Sequence, residues 1–447
     1  MRRLAIAIAL AAACVPAVAD ARIVERTFEA GPYVVGAYDG ARGGETVRAP
    51  RMDGSIVEMD ANVVDSDGHV IPQSVVMLHH LVFKDQGHAR SFRPDAACPT
   101  TSSDERFFGV SEELRALTLP KGYGYRIERE DRWRMGWMLM NHTHRTRAAW
   151  IRYHVRIDTS DRLRHVTPYW FSVLGCHVDP AYTVAGGDRG GRRGRTFRVP
   201  RAGRIVAVGG HLHGGSNSIS LAQPRCDRTL ITNRPTYGQP DDPVYAVRPL
   251  LHEPDPRNIS WWQSRTGIPV RKGERLRVVA RYRDDFPYMR VMGIDHVYIA
   301  HGSAPGGCAD PPKDAEELGP DFVGRDAPPH MELTLARMDD DGHARPWDGP
   351  GGSPAVFDDG PAAVTERQYA FKPARVSIPA GGSVRWTFRD EDLHDATLVT
   401  GPRGFSSPPM LGGDDAYSHR FRVPGTYKVY CSLHPVEMQQ VVTVRGE

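Results

Sequence analysis

The chain has 447 residues, with 57 Lys+Arg against 54 Asp+Glu. That length exceeds one ordinary core and predicts about three domains. The near-balanced charge excludes nucleic acid as the expected partner. With 45 glycines, 36 prolines and few long apolar stretches of helical period, many short strands joined by turns are expected.

At the N-terminus, Arg2 and Arg3 precede the apolar run Leu4 to Ala13 and the small-residue site Ala17-Val18-Ala19. Residues 1–19 therefore read as a secretory signal, predicting a secreted or periplasmic protein. Lipid attachment at Cys14 is the alternative, because Leu10 to Cys14 loosely resembles a lipoprotein box. No other segment approaches about 18 apolar residues, so no membrane span is expected. Five cysteines then remain: Cys98, Cys176, Cys226, Cys308 and Cys431. Two disulfides and one metal thiolate, Cys431, account for the odd count. Pairing within domains joins Cys98 to Cys176 and Cys226 to Cys308, one of three possible connectivities.

Residues 20–190 read as a β domain, with strand-like runs at Val34-Val35, Ser55 to Met59, Val75 to Phe83, Trp137 to Met140, Ala149 to Ile157 and Tyr169 to Val173. Residues 186–195, rich in Gly and Arg, read as a solvated basic hinge. Residues 191–310 repeat the β character at Arg204 to Val208, Ser218 to Leu221, Arg275 to Tyr282 and Met292 to Ile299. Residues 311–365, rich in Pro, Gly and Asp, read as a linker partly ordered against its neighbours, and residues 366–447 as a compact strand-rich domain.

The most specific motif is Cys431-x2-His434-x3-Met438. One tight loop presents thiolate, imidazole and thioether to a single metal, and His394 supplies a second imidazole from upstream. Two His and one Cys with a weak axial Met is the donor set of a blue copper site. Around it stand Phe371-Lys372-Pro373, Gly381-Gly382-Ser383-Val384-Arg385-Trp386, Asp392-Leu393-His394-Asp395 and Phe421 to Tyr427. On these residues the last 80 or so positions resemble the cupredoxins of the plastocyanin and pseudoazurin type. The resemblance implies a Greek-key β-sandwich, one type 1 copper on His394, Cys431, His434 and Met438, and electron transfer with an external donor or acceptor. Asp395 stands where that family often has Asn, and is expected to accept a hydrogen bond from Ser432 and brace the ligand loop.

Three further histidine groups stand out: His79-His80 inside an apolar run, His142 after Trp137 to Asn141, and His211-Leu212-His213. Residues i and i+2 of a strand share a face, so His211 and His213 can share a metal. Adjacent His79 and His80 can do so only with local distortion of the strand or different ring rotations. In order and spacing these positions resemble the ascorbate-dependent copper monooxygenases, the peptidylglycine and dopamine hydroxylases. That resemblance implies two tandem jelly-roll-like β-sandwich domains. It also implies two further coppers, one on His79, His80 and His142 and one on His211, His213 and Met292, the second being the O2-activating, catalytic site. His144 or His154 is the alternative to His142, and Met289 to Met292. Gly209 and His296 replace the Arg and Tyr with which the peptide-amidating branch grips its substrate, so peptide amidation is not expected.

The expected protein is thus all-β, with two sandwiches, a linker and a cupredoxin domain. The reading it supports is an exported redox protein whose blue copper feeds a two-copper, O2-dependent hydroxylation of a small molecule. The alternatives are an electron carrier on a vestigial scaffold and a three-histidine zinc hydrolase. The absence of a His-Glu-x-x-His motif counts against the zinc reading.

Overall fold

The computed structural model describes residues 23–86, 104–177, 179–187, 191–250, 253–304, 307–308, 310–327, 331 and 333–446. The expected signal and Cys98 lie outside them. Among the described residues there is no α-helix, only strands and two short 3-10 turns. Among the described residues, no helix is long and apolar enough to cross a membrane.

In the first sandwich, strand Trp133–Asn141 lies between Gly40–Val47 and Val76–Asp85, and Glu105–Ser111 completes a four-stranded sheet. Its inner face alternates as period two demands. Leu81, Phe83, Trp133, Met135 and Leu139 are buried, while His80, Val82, Lys84, Arg134 and Gly136 turn outward. In the second sandwich the corresponding sheet runs Arg192–Arg198, Arg275–Tyr282, Ser216–Gln223, Arg228–Asn233. The other face of both sandwiches is one continuous sheet, crossing between them where Arg164–Ser172 meets Tyr123–Ile127 on one side and Gly293–His301 on the other. Arg164–Ser172 makes seven register pairs with Gly293–His301 and two with Tyr123–Ile127. It therefore belongs mainly to the second sandwich, although it precedes the expected boundary at residue 190. A single apolar core runs through both sandwiches, from Phe83, Trp133 and Tyr153 to Ile205, Val278 and Ile299.

One expectation is corrected. The basic hinge is partly a strand, because Arg192–Arg198 pairs along its length with Arg275–Tyr282. The linker is ordered against its neighbours. Glu316–Leu318 adds an edge strand to Trp261–Val270, and Ala336–Met338 forms a hairpin with Ala344–Pro346. Leu333 and Leu335 pack beside Val399 and Tyr430. Ala355–Val356 and Pro361–Glu366 already belong to the C-terminal sandwich, through parallel pairing with Arg375–Pro379 and Ser383–Phe388. Strands of two or three residues are too short for periodicity to reveal.

The C-terminal sandwich packs a five-stranded sheet on a four-stranded one around Trp386, Phe388, Leu398, Phe421 and Val442. That core continues into the first sandwich through Tyr38, Met77, Met138 and Met140. Polar contacts add to the junction. The Gly404 N–H donates to the Ala185 carbonyl at 3.0 Å, and Thr183 and Ser406 hydroxyls meet at 2.7 Å. The Arg290 guanidinium donates to the Ser407 carbonyl at 2.9 Å and to Asp179 at 3.1 Å.

Candidate metal centres

Cys431 ends strand Gly425–Cys431 and His434 opens His434–Arg445; the two residues pair across the tight turn. His394 enters on the two-residue strand Leu393–His394. The result is a closed set of donors. The Nδ1 atoms of His394 and His434 lie 3.1 Å apart, and the Cys431 Sγ lies 3.9 Å from the first and 3.7 Å from the second. Met438, one turn of sequence further, is fully buried in the same core. Burial, then the other imidazole, pulls His434 down to about 4, so it offers a neutral nitrogen at pH 7. Burial and then the Asp395 charge push the Cys431 thiol up; a bound cation reverses that by favouring thiolate.

The surroundings fix these donors. The Asp395 N–H points at the Cys431 sulfur, 3.4 Å away. The Asp395 carboxylate accepts the Ser432 N–H at 2.9 Å, the Thr397 hydroxyl at 2.8 Å, and the Ser432 hydroxyl, which is the brace expected from the sequence. The outer nitrogen of His394, Nε2, faces Glu366 at 3.6 Å and Asp390 at 3.8 Å. Among the described residues, Cys431 is the free thiol, and it is buried. The Cys226–Cys308 disulfide forms as expected. Cys176 is also disulfide-bonded.

The N-terminal histidines are grouped differently from the expected two sets. A β-bulge between Leu78 and His80 breaks the alternation of the strand, so both imidazoles line one cavity. His211 and His213 come from the second sandwich to the same cavity. Ring centroids run His80–His79 5.4 Å, His79–His213 5.1 Å and His213–His211 5.0 Å. The two pairs therefore form one continuous cluster. Met292 lines the same cavity, as does Met289. The Tyr282 hydroxyl donates to the Met292 carbonyl at 2.5 Å and accepts the His213 N–H at 2.8 Å, tying thioether and imidazole segments together.

His142 is buried, its N–H on the Val75 carbonyl, but it is not in the cavity wall. Neither alternative lines the cavity. His144 stacks on His343, and His154 lies between Glu25 and Asp60. His296 does line the cavity, with its ring 4.2 Å from that of Trp170. Gly209 has a packing reason, since a Cβ there would meet the Trp261 ring at 2.3 Å.

Sequence reasoning does not find the carboxylates behind this cluster. The Nδ1 of His211 lies 2.7 Å from Glu113, that of His79 3.8 Å from Glu112, and that of His213 3.9 Å from Asp255. All three carboxylates are buried. Burial first, and then the neighbouring carboxylates, pushes Glu112 and Asp255 up. Burial and then His211 pull His79 down to about 4. His211 thus has its Nδ1 hydrogen-bonded, which leaves Nε2 as its metal-binding nitrogen, whereas the Nδ1 atoms of His79 and His213 face their carboxylates beyond hydrogen-bond distance.

No protein-family model matches the chain. Among curated proteins it is 34% identical to amicyanin-alpha of Methylorubrum extorquens over 97 residues, 20% of this chain and 81% of the relative. It is 30% identical to amicyanin of Paracoccus denitrificans over 86 residues, 19% of this chain and 66% of that protein. Solved structures with similarity include an oxidized amicyanin variant, at 27% identity, 20% of this chain, 84% of that one and a TM-score of 0.18. A purple cupredoxin from Nitrosopumilus maritimus gives 32% identity, 19% and 99% coverage, and a TM-score of 0.17. The matched fifth has the length of the C-terminal sandwich, which is a cupredoxin domain. Through that domain the chain belongs to the amicyanin-like cupredoxin family.

Proposed function

We propose that this chain is an exported copper redox protein. Its cupredoxin domain, holding one type 1 copper on His394, Cys431, His434 and Met438, passes single electrons to a second metal centre on His79, His80, His211 and His213. The observation that carries this reading is one cavity of about 770 Å3. Its wall includes the four histidines and Met292 from the two N-terminal sandwiches. It also includes Asp395, Tyr430, Ser432 and Leu433, which flank the cupredoxin donors in sequence. Copper at the imidazole cluster would supply one-electron chemistry and a place for O2. Hydroxylating a C–H bond consumes O2, two electrons and two protons and releases water. A chain that accepts electrons singly from an external donor and delivers them internally suits that demand.

The residues of the chain have definite parts in this. Asp395 holds the cupredoxin ligand loop against the cavity. Arg290 fastens the two bodies by its bonds to Ser407 and Asp179. Glu113 orients His211, and Tyr282 holds His213 in register with Met292.

The test is copper content with visible and electron paramagnetic resonance spectra on the full chain. Wild type is expected to bind blue copper together with copper of imidazole type. The His211→Ala/His213→Ala variant keeps the blue signal and loses the second. Blue copper alone in the wild type contradicts the proposal.

A further inference from the structure

The cavity floor is one face of the Gly40–Val47, Trp133–Asn141, Val76–Asp85, Glu105–Ser111 sheet. Residues directly opposite one another across strands point to the same side, so the register arranges this face in rows. His80 is opposite Met138 and Ser111, and Met138 is opposite Arg42. Two residues along, Val82 lies between Gly109 and Gly136, and Gly136 is opposite Gly44. Two further along, Lys84 lies between Arg106 and Arg134. A metal-binding row, a glycine row and a cationic row thus follow in sequence. With four residues at ~3.3 Å each, the cationic row stands about 13 Å from His80.

The glycine row is a trough. A Cβ on Gly136 would meet nothing nearer than 4.0 Å, so the floor there is open. A Cβ on Gly109 would strike Trp170 at 2.7 Å. The Trp170 ring therefore lies against bare backbone, tilted against His296 on the way to the histidine cluster. Gly109, Gly136, Val82 and Trp170 all line the cavity.

The cationic row is costly as it stands. Like charges directly opposite in a sheet repel, and Lys84 has one on each side. Burial, then Arg106, holds Lys84 below the usual lysine range, although the Asp104 carboxylate also acts on it. The Arg106 guanidinium sits over the Trp170 ring, 5.6 Å from its centroid. Both Lys84 and Arg106 line the cavity. Of the acids that line it, Asp179 is bound to Arg290, and Asp395 is bound to Ser432 and Thr397. Burial pushes the third, Glu253, up to about 8.

We propose that the cavity takes an elongated small molecule with an oxyanion at one end. The anion sits on Lys84 and Arg106, the apolar body lies along the glycine trough against Trp170, and the far end lies at His80. The binding claim stands on the sheet face alone; that the far end is where reaction occurs rests on the function proposed above.

The test uses the copper-loaded full chain and straight-chain carboxylates from butyrate to laurate, each paired with its primary amide, titrated calorimetrically. A charge-assisted contact predicts that the longer acids bind at least about tenfold more tightly than their amides. The advantage shrinks as salt is raised. In Lys84→Gln/Arg106→Gln it disappears while the blue absorption band is unchanged. Equal binding of acid and amide, or no binding of either, overturns the proposal. So does an acid preference that survives in the double variant, because the carboxylate is then held at the metal. The two readings fail separately. Acid preference without internal electron transfer removes the proposed function only, and electron transfer without acid preference removes this inference only.

Discussion

At the scale of single residues, the carboxylates behind the imidazoles decide whether the cluster is a metal site. Glu113 Oε1 accepts both the His211 Nδ1 proton and the Leu212 N–H, the latter at 3.3 Å, so it fixes ring and backbone together. Outer partners of this kind typically matter about 10–100-fold in metal affinity. Glu113→Gln is expected to weaken copper binding at the cluster by that factor in a competition titration, with the blue band untouched. Unchanged affinity would show Glu113 to be mere packing. Gly209→Ala is expected to cost about 1–3 kcal/mol through overpacking against Trp261, seen as a lower midpoint of thermal unfolding. His419 gives a pH prediction. Burial holds it at about 4, its ring stacked on Phe405, whereas an unfolded histidine titrates near about 6.5. Because the folded value is depressed, the unfolded chain takes up the proton first as pH falls. The stability involved is present above about pH 6.5 and is lost on descending toward about pH 4. In denaturant titrations of metal-free protein, His419→Phe should narrow the gap between stability at neutral and acidic pH. An unaltered gap would refute this assignment.

At the scale of elements, what the sequence showed depended on how local each feature is. Cys431, His434 and Met438 lie within eight positions of one another, so one loop presents them and spacing is enough. The period of two at His211 and His213 is equally legible. The bulge that turns His79 and His80 to one side is not, because it depends on the partner strand Trp133–Asn141. Nor is the arrival of Glu112, Glu113 and Asp255, which carry no motif and reach the histidines only through long-range pairing. His142 shows the converse: strand-end position alone does not say which face a side chain takes. The strands within the linker were not legible because they are two to six residues long and set among Pro and Gly. It holds the cupredoxin in place. Leu335, buried beside Val399 and Tyr430, should therefore behave as core. Leu335→Ala is expected to destabilise by about 2–5 kcal/mol, and calorimetric unfolding showing no change would make the segment a tether after all.

At the scale of the whole molecule, the all-β character was legible from composition and strand spacing, and the sandwiches and the cupredoxin only through the family resemblances. Their mutual placement was not. A continuous sheet makes the two N-terminal sandwiches one frame, and the methionine face of Met77, Met138 and Met140 seats the cupredoxin on it. That seating brings residues flanking the cupredoxin donors to the cavity that the histidine cluster lines, so under the function proposed above an electron passing between the two sets needs no diffusion. The measurement that tests this most directly is anaerobic rapid mixing of the fully copper-loaded chain with less than one equivalent of a one-electron reductant, following the blue band. The account predicts fast bleaching followed by first-order return of the band, at a rate independent of protein concentration and absent in His211→Ala/His213→Ala. A return whose rate rises with protein concentration, or one that persists in that variant, would contradict it.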